Sequence, residues 1–320
     1  AVRKDLSGPV TLPHMLPFSA SWAIQEPKYN AENWSDGPGY YRVSIDSSPY
    51  GDWQVGWVGG GMVTHPLLFA GSAESQARAR RNLDYLFGIA QAPSGWFYGI
   101  GHWTADGMVW LGDGFFNPGT ERWHLVRKSA DTLYFAYKQL MLVERQTGAP
   151  APAAWIEGAQ RTADAFVRLW DRYGQFGQFV DVETGELVVG NSASGSTAAG
   201  GLALAGQYTG NPDYLRVARA AGEDYYRRFV CNGYTTGGPG EICQCPDSES
   251  AFGLLESFVA LYEVTGESKW VEYAQDMAHQ CASWVTSYDF VFPPTSLFGR
   301  LDIRAAGSVW ANAQNKHGAP

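Results

Sequence analysis

Apolar residues recur at a helical period through most of this chain. Within 247–265, Ala251, Leu254, Leu255, Phe258, Leu261 and Tyr262 fall on one face, and within 267–286 Trp270, Ala274, Met277, Ala278, Cys281, Trp284 and Val285 do the same. That spacing is the signature of an amphipathic helix. The same pattern predicts helices near 73–91, 121–147, 150–172, 194–209 and 211–230. Segment 194–209 stands apart in being filled with small residues: Gly195, Ala198, Ala199, Gly200, Gly201, Ala203 and Ala205. Small side chains let neighbouring helices approach closely, so this segment is expected to be an inner helix. The first 70 residues read differently, with Tyr40 to Ile45 and Trp53 to Val58 patterned as short strands ahead of Gly59-Gly60-Gly61.

Punctuation turns these helices into a repeat. Thr147-Gly148, Thr209-Gly210 and Thr265-Gly266 each end one amphipathic segment just before another begins. Glycine closes a helix by taking the left-handed conformation that other residues avoid. An aromatic and then an alanine follow at matching steps: Trp155 and Ala159, Tyr214 and Ala218, Trp270 and Ala274. Each copy is a helical hairpin plus a long loop. The short Thr-Gly turns should all lie at one end, and the long connections 92–120, 173–193, 231–246 and 288–304 should gather at the other. Loops held by a rigid scaffold are where sites are usually built. Helices starting near 121, 194 and 247 should therefore run the same way as an inner layer, with those near 150, 211 and 267 outside.

The fold expected is all-α, an (α/α)n toroid of helical hairpins over 71–320, preceded by a short β-containing lead-in over 1–70. About four of six hairpins are visible, and a closed ring of six would need roughly another 120 residues. The expectation is an open flank beside the last helix, with exposed apolar residues near Trp310. A second chain or a further C-terminal segment would complete the toroid.

Composition narrows the partners. A net charge of -9 and the lack of Lys/Arg clusters argue against nucleic acid. No apolar run approaches the length of a transmembrane helix, so membrane insertion is not expected. The chain holds 13 Trp, 17 Tyr and 16 Phe, many in loops beside polar residues. Flat rings with polar edges suit the faces of sugars, although they also serve to pack loops onto helices. Four cysteines do not make a disulfide framework. Cys281 lies on an apolar helix face, whereas Cys243 and Cys245 form a Cys-x-Cys pair with Cys231 upstream. A metal half-site and a loop disulfide both fit that pair. No second ligand pair at metal spacing accompanies it, so no metal and no cofactor is assigned. A loop disulfide would suit an extracellular or periplasmic protein.

Cleaving a glycosidic bond requires one carboxylic acid to protonate the leaving oxygen and a second carboxylate opposite it. The long loops supply candidates. Connection 92–120 carries Trp96, His102, Trp103, Trp110 and Asp113, the last flanked by Gly112 and Gly114, and His124 follows. Connection 231–246 carries Glu241, with Asp247 and Glu249 opening the next helix. The catalytic candidates are Asp113, Glu241, Asp247 and Glu249. Trp96, His102, Trp103, Trp110, His124, Asp181 and His317 are candidates for substrate contact. Asp247 also reads as a helix N-cap, and Glu249 as a complement to the helix dipole. The run from Asp181 to Glu186 also reads as a hairpin turn with solvated acids.

The hairpin pattern over roughly 60–320 resembles the six-hairpin (α/α)6-toroid glycosidases and their lyase relatives. A local stretch is similar to the cysteine-dependent β-L-arabinofuranosidase family: Tyr234-Thr235-Thr236-Gly237-Gly238, Gly240-Glu241 and Thr265-Gly266-Glu267 match it. That resemblance implies Glu241 as acid/base. The family's Glu-x-Cys ligands would fall at Asp247 and Glu249, where Cys is absent, so its thiolate chemistry is not implied. The expected function is hydrolysis of a poly- or oligosaccharide by paired carboxylates. The alternatives are a polysaccharide lyase, whose basic subsite is not evident, or a non-catalytic helical toroid that binds a glycan or a protein.

Overall fold

The computed structural model describes residues 17–46, 48–56, 59–114, 117–238 and 245–313. Helix α1 (Phe18–Glu32) leads in, followed by the short strands β1 (Trp34–Ser35), β2 (Tyr40–Tyr41) and β3 (Trp53–Gln54). Among the described residues four helical hairpins then form the body. They are α2 (Thr64–Ala70) with α3 (Ala73–Gly88), α4 (Val126–Thr147) with α5 (Ala153–Tyr173), α6 (Thr197–Thr209) with α7 (Pro212–Arg228), and α8 (Ser248–Thr265) with α9 (Lys269–Ser283). Between them lie β4 (Ile100–Thr104), β5 (Gly107–Trp110), β6 (Trp123–Leu125), β7 (Phe179–Asp181) and β8 (Leu187–Val189), and a one-turn helix α10 (Leu297–Arg300) follows α9.

The Thr-Gly turns end their helices as the sequence requires. Gly148, Gly210 and Gly266 cap α4, α6 and α8 in the left-handed conformation, at φ 67°, 74° and 70°. Each threonine hydroxyl bonds back to a carbonyl of the preceding turn, as from Thr209 Oγ1 to Ala205 O at 2.7 Å, which satisfies a group the helix end would otherwise strand.

The layers follow from side-chain size. All of α6 from Thr197 to Gly206 is buried. A Cβ on Gly200 would lie 2.9 Å from the Cα of Ser257 on α8, and one on Gly201 would lie 3.0 Å from the backbone nitrogen of Tyr134 on α4. The two neighbours therefore pack against the backbone of α6 itself. Helices α2, α4, α6 and α8 form the inner layer, with α3, α5, α7 and α9 outside it. One continuous hydrophobic core joins the layers, with Phe166, Leu202, Phe258 and Trp270 among its members.

The long connections meet at the other end. Strands β3, β4 and β5 form one antiparallel sheet and β6, β7 and β8 another, so connections 92–120 and 173–193 are tied to the inner layer. The amide of Ala193 donates to Thr236 O at 2.8 Å, and Asp247 bridges to Asn312. All of this lies over the N-termini of α4, α6 and α8, as the repeat predicts.

Three features differ from the sequence reading. Residues 123–125 pair as β6, which delays α4 to Val126. The seven-residue α2 packs on α3 and α4, so the hairpin body begins at Thr64, inside the stretch expected to be a lead-in. Helix α1 escaped the periodicity argument because it contains Pro27 and none of its residues is classed as buried. Among the cysteines, Cys231, Cys245 and Cys281 are free thiols, and Cys243 lies outside the described residues. Among the described residues no cluster could hold a metal ion, and no helix is long and apolar enough to cross a membrane.

Candidate active site

Asp113, expected on a cleft wall, is instead sealed in protein at 0% exposure. Its Oδ1 accepts from Lys128 Nζ at 2.6 Å, and its Oδ2 accepts from the Leu125 amide at 2.8 Å, with His124 Nδ1 at 3.2 Å. Burial by itself would raise this carboxyl. The Lys128 charge and the His124 contact outweigh burial and hold it at about 2. His124 is likewise enclosed, and its Nε2 lies 2.7 Å from Ser129 Oγ. Burial pushes its pKa down. These groups lock β6 to the first turn of α4 and face no cleft.

Asp247 is the N-cap of α8. Its Oδ1 accepts from the Ser250 amide at 2.6 Å, and its Oδ2 accepts from the Gly238 amide at 3.2 Å. Burial raises its pKa against those bonds. Glu249 stands in the first turn of α8 and pairs with Arg127 on α4. Trp96 packs in the core against Phe166. Trp103 is exposed, and Trp110 stacks on Tyr98 at 4.7 Å beside it, across the β4–β5 hairpin. His102 Nδ1 sits 3.3 Å from the buried Asp52 on the same sheet. Asp181 holds its turn by accepting from the Glu183 and Thr184 amides at 2.9 Å, and it pairs with Arg122. Glu241 and His317 lie outside the described residues.

The structure gathers a different set on the concave face of the inner layer. On α4, Arg127, Asp131, Tyr134 and Lys138 share one stripe by helical period, and on α8, Glu249, Glu256 and Glu263 share another. The glycines of α6 keep the floor between them low. Arg127 joins the two walls, since its guanidinium pairs with Glu249 and its Nε bonds Asp131 Oδ2 at 3.2 Å.

Glu256 is an exposed residue on this face. Loss of water, and then the Asp131 charge across the groove, raise its pKa. Tyr134 is raised by burial and then by Glu256 and Glu263. The Lys138 ammonium lies 5.0 Å from the Tyr134 ring centre and 5.5 Å from that of Phe135. His65 of α2 completes the wall, 5.7 Å from the Phe135 ring. Burial and the Lys138 charge depress its pKa to about 4, which leaves a neutral imidazole at neutral pH. A carboxyl whose pKa is raised, opposite one anchored by a guanidinium, is an arrangement suited to acid/base work.

Of this set the sequence reading named only Glu249, because the candidates were sought in the loops and at the helix starts beside them. The available signal was charge inside an inner helix. Arg127, Asp131 and Lys138 interrupt α4 at its own period, on the side turned away from the outer layer.

No protein-family model matches the chain, and no curated protein matches it. Solved structures do. A D-mannose isomerase is similar at TM-score 0.57 and 10% identity, over 95% of this chain and 76% of that one. The fold is the α/α-hairpin toroid, with four hairpins among the described residues. A cellobiose 2-epimerase from Spirochaeta thermophila matches at TM-score 0.56 and 11% identity, over 83% of this chain and 69% of its own. A glycoside hydrolase of family 76 (mannosidase) from Bacteroides thetaiotaomicron matches at 0.53 and 14%, over 82% and 71%.

Proposed function

We propose that this protein is an enzyme acting on carbohydrate, and that it cleaves a glycosidic bond on the concave inner face. Glu256 is the proton donor and Asp131 its partner carboxylate. The observation that carries this reading is the meeting of the two acids across the groove, where loss of water and then the charge of Asp131 raise Glu256. Glu256 protonates the leaving oxygen. Asp131, held by Arg127, stabilises the positive charge that develops on the sugar and acts as base or nucleophile from the other side. Tyr134 and Phe135 offer ring faces to the apolar side of the pyranose. Likeness in fold to a mannosidase, a mannose isomerase and a cellobiose 2-epimerase supports a sugar as substrate.

The test is a panel of chromogenic glycosides and mannan or glucan oligosaccharides, assayed with the parent, Glu256→Gln and Asp131→Asn. Each variant should lose about 10²–10⁴-fold in kcat/KM with its thermal midpoint within a few degrees of the parent. Parent-like turnover by either variant removes that residue from the mechanism.

A second reading, isomerisation or epimerisation of a reducing sugar, is favoured by one observation. His65 is a neutral imidazole on the same face, suited to removing the proton beside a carbonyl. Incubating the parent with mannose or cellobiose in D2O separates the two readings. Deuterium entering at C2, and its loss in His65→Asn, would favour isomerisation, whereas hydrolysis without exchange would favour the first reading.

A further inference from the structure

We infer that a second binding site, for a sugar carrying a carboxylate, lies on the outer side of the molecule between α5 and the β7–β8 turn. It is independent of the axial reading, since its walls come from the outer layer and a loop. The space is a cavity of about 430 Å³ bordered by Trp96, Arg168, Glu183, Thr184 and Gly185.

Two donors line it. Trp96 is 1% exposed, yet among the described residues its indole N–H meets no acceptor. Gly185 explains how that donor stays open. It holds φ at +74°, and a Cβ on it would sit 3.2 Å from Trp96 Nε1, so any other residue would crowd the approach. An indole N–H that opens on the cavity is a donor within reach of a ligand oxygen. The second donor is Arg168. Its guanidinium bonds the Ser94 carbonyl at 2.7 Å through Nη2 and, among the described residues, has no carboxylate partner. Its neighbour Arg172, by contrast, is paired with Glu186.

An indole N–H and a guanidinium without a carboxylate partner, lining one cavity, make a seat for a carboxylate. The opposite wall has the reverse character. Glu183, which accepts from Tyr98 at 3.0 Å, can accept further hydroxyls, and Thr184 accepts from the Glu186 amide at 3.3 Å and keeps its own O–H to donate. A compact ligand with one anionic end and a rim of hydroxyls satisfies both walls, which is the description of an acidic monosaccharide unit. An inorganic anion would leave the Glu183 wall unsatisfied.

The experiment is calorimetric titration of the 320-residue chain with D-glucuronate, and with D-glucose and inorganic phosphate as comparators. Glucuronate should bind saturably and at least about ten-fold more tightly than glucose or phosphate. Arg168→Gln should weaken it about ten-fold or more, as should Trp96→Phe, which keeps the ring and removes the donor. Because Trp96 is a core residue and its variant could fail to fold, exposed Arg168 carries the test. Absence of saturable binding, unchanged affinity in Arg168→Gln, or phosphate binding as tight as glucuronate would each overturn the proposal.

Discussion

At the residue scale, the lesson of Asp113 is that a glycine-flanked acid can be an anchor. Asp113 and Lys128 are both at 0% exposure and 2.6 Å apart, and breaking such a pair leaves the surviving charge buried and unmatched. Asp113→Asn should therefore cost about 3–5 kcal/mol, read as a lower urea midpoint, while folded molecules keep their activity on any substrate. Catalytic loss without a stability change would contradict this anchoring role. Acid acts on the fold in two windows. His65 and His124 both have depressed folded values, so below the unfolded value of 6.5 the unfolded chain takes protons that the folded chain refuses. Stability should fall as pH drops from 6.5, with the His65 part complete near its folded value of about 4. Asp113 is also depressed, and its contribution is fully present above 3.8 and lost as pH falls toward about 2. Urea midpoints measured from pH 7.5 to 4 should decline, and His65→Leu should flatten part of that decline. An unchanged slope would show that His65 is not one of the groups responsible.

At the element scale, the helices and their ends were legible because they are written locally. Thr147-Gly148, Thr209-Gly210 and Thr265-Gly266 end their helices by backbone conformation, a property of one residue and its neighbours. The small residues of 194–209 likewise marked α6 as inner. What was not legible depends on partners distant in sequence. Nothing near Asp113 announces that Lys128 will close over it, and nothing near Glu256 announces Asp131, which lies on a helix two hairpins earlier. The acids at 247 and 249 carried both a capping and a catalytic reading, and only the Gly238 and Ser250 amides around Asp247 show the capping role. The glycines of α6 allow a direct test. Gly→Ala within a helix ordinarily stabilises by about 1 kcal/mol. At Gly201 the new methyl would meet Leu133 Cγ and the Tyr134 backbone nitrogen at 3.0 Å, and overpacking of that kind costs about 1–3 kcal/mol. Gly201→Ala should lower the thermal midpoint, whereas a rise would mean that α4 can shift outward freely.

At the scale of the whole molecule, the arc of hairpins presents two different sides at α8. Glu249, Glu256 and Glu263 lie toward the axis, while Val259 and Tyr262 lie on the side turned from α6 and are 43% and 44% exposed. The segment after α9 also exposes apolar side chains, with Val291 at 99%, Leu301 at 61% and Trp310 at 45% exposure. Single exposed apolar residues are ordinary, but several of them at the last hairpin and the segment after it make a surface that gains by being covered. The concave face owes its shape to the same geometry, because the inner helices curve around it without a neighbour beyond α8 among the described residues. An apolar-surface dye such as ANS should therefore bind the native 320-residue chain at neutral pH, where a fully covered fold would leave it dark. Replacing Val259, Val291 and Leu301 together by serine should remove most of that signal. The midpoint should move little, since exposed side chains contribute little to folding. Dye binding that persists in the triple variant would place the responsive surface elsewhere, and a sharp fall in stability would mean that these residues are already covered in solution.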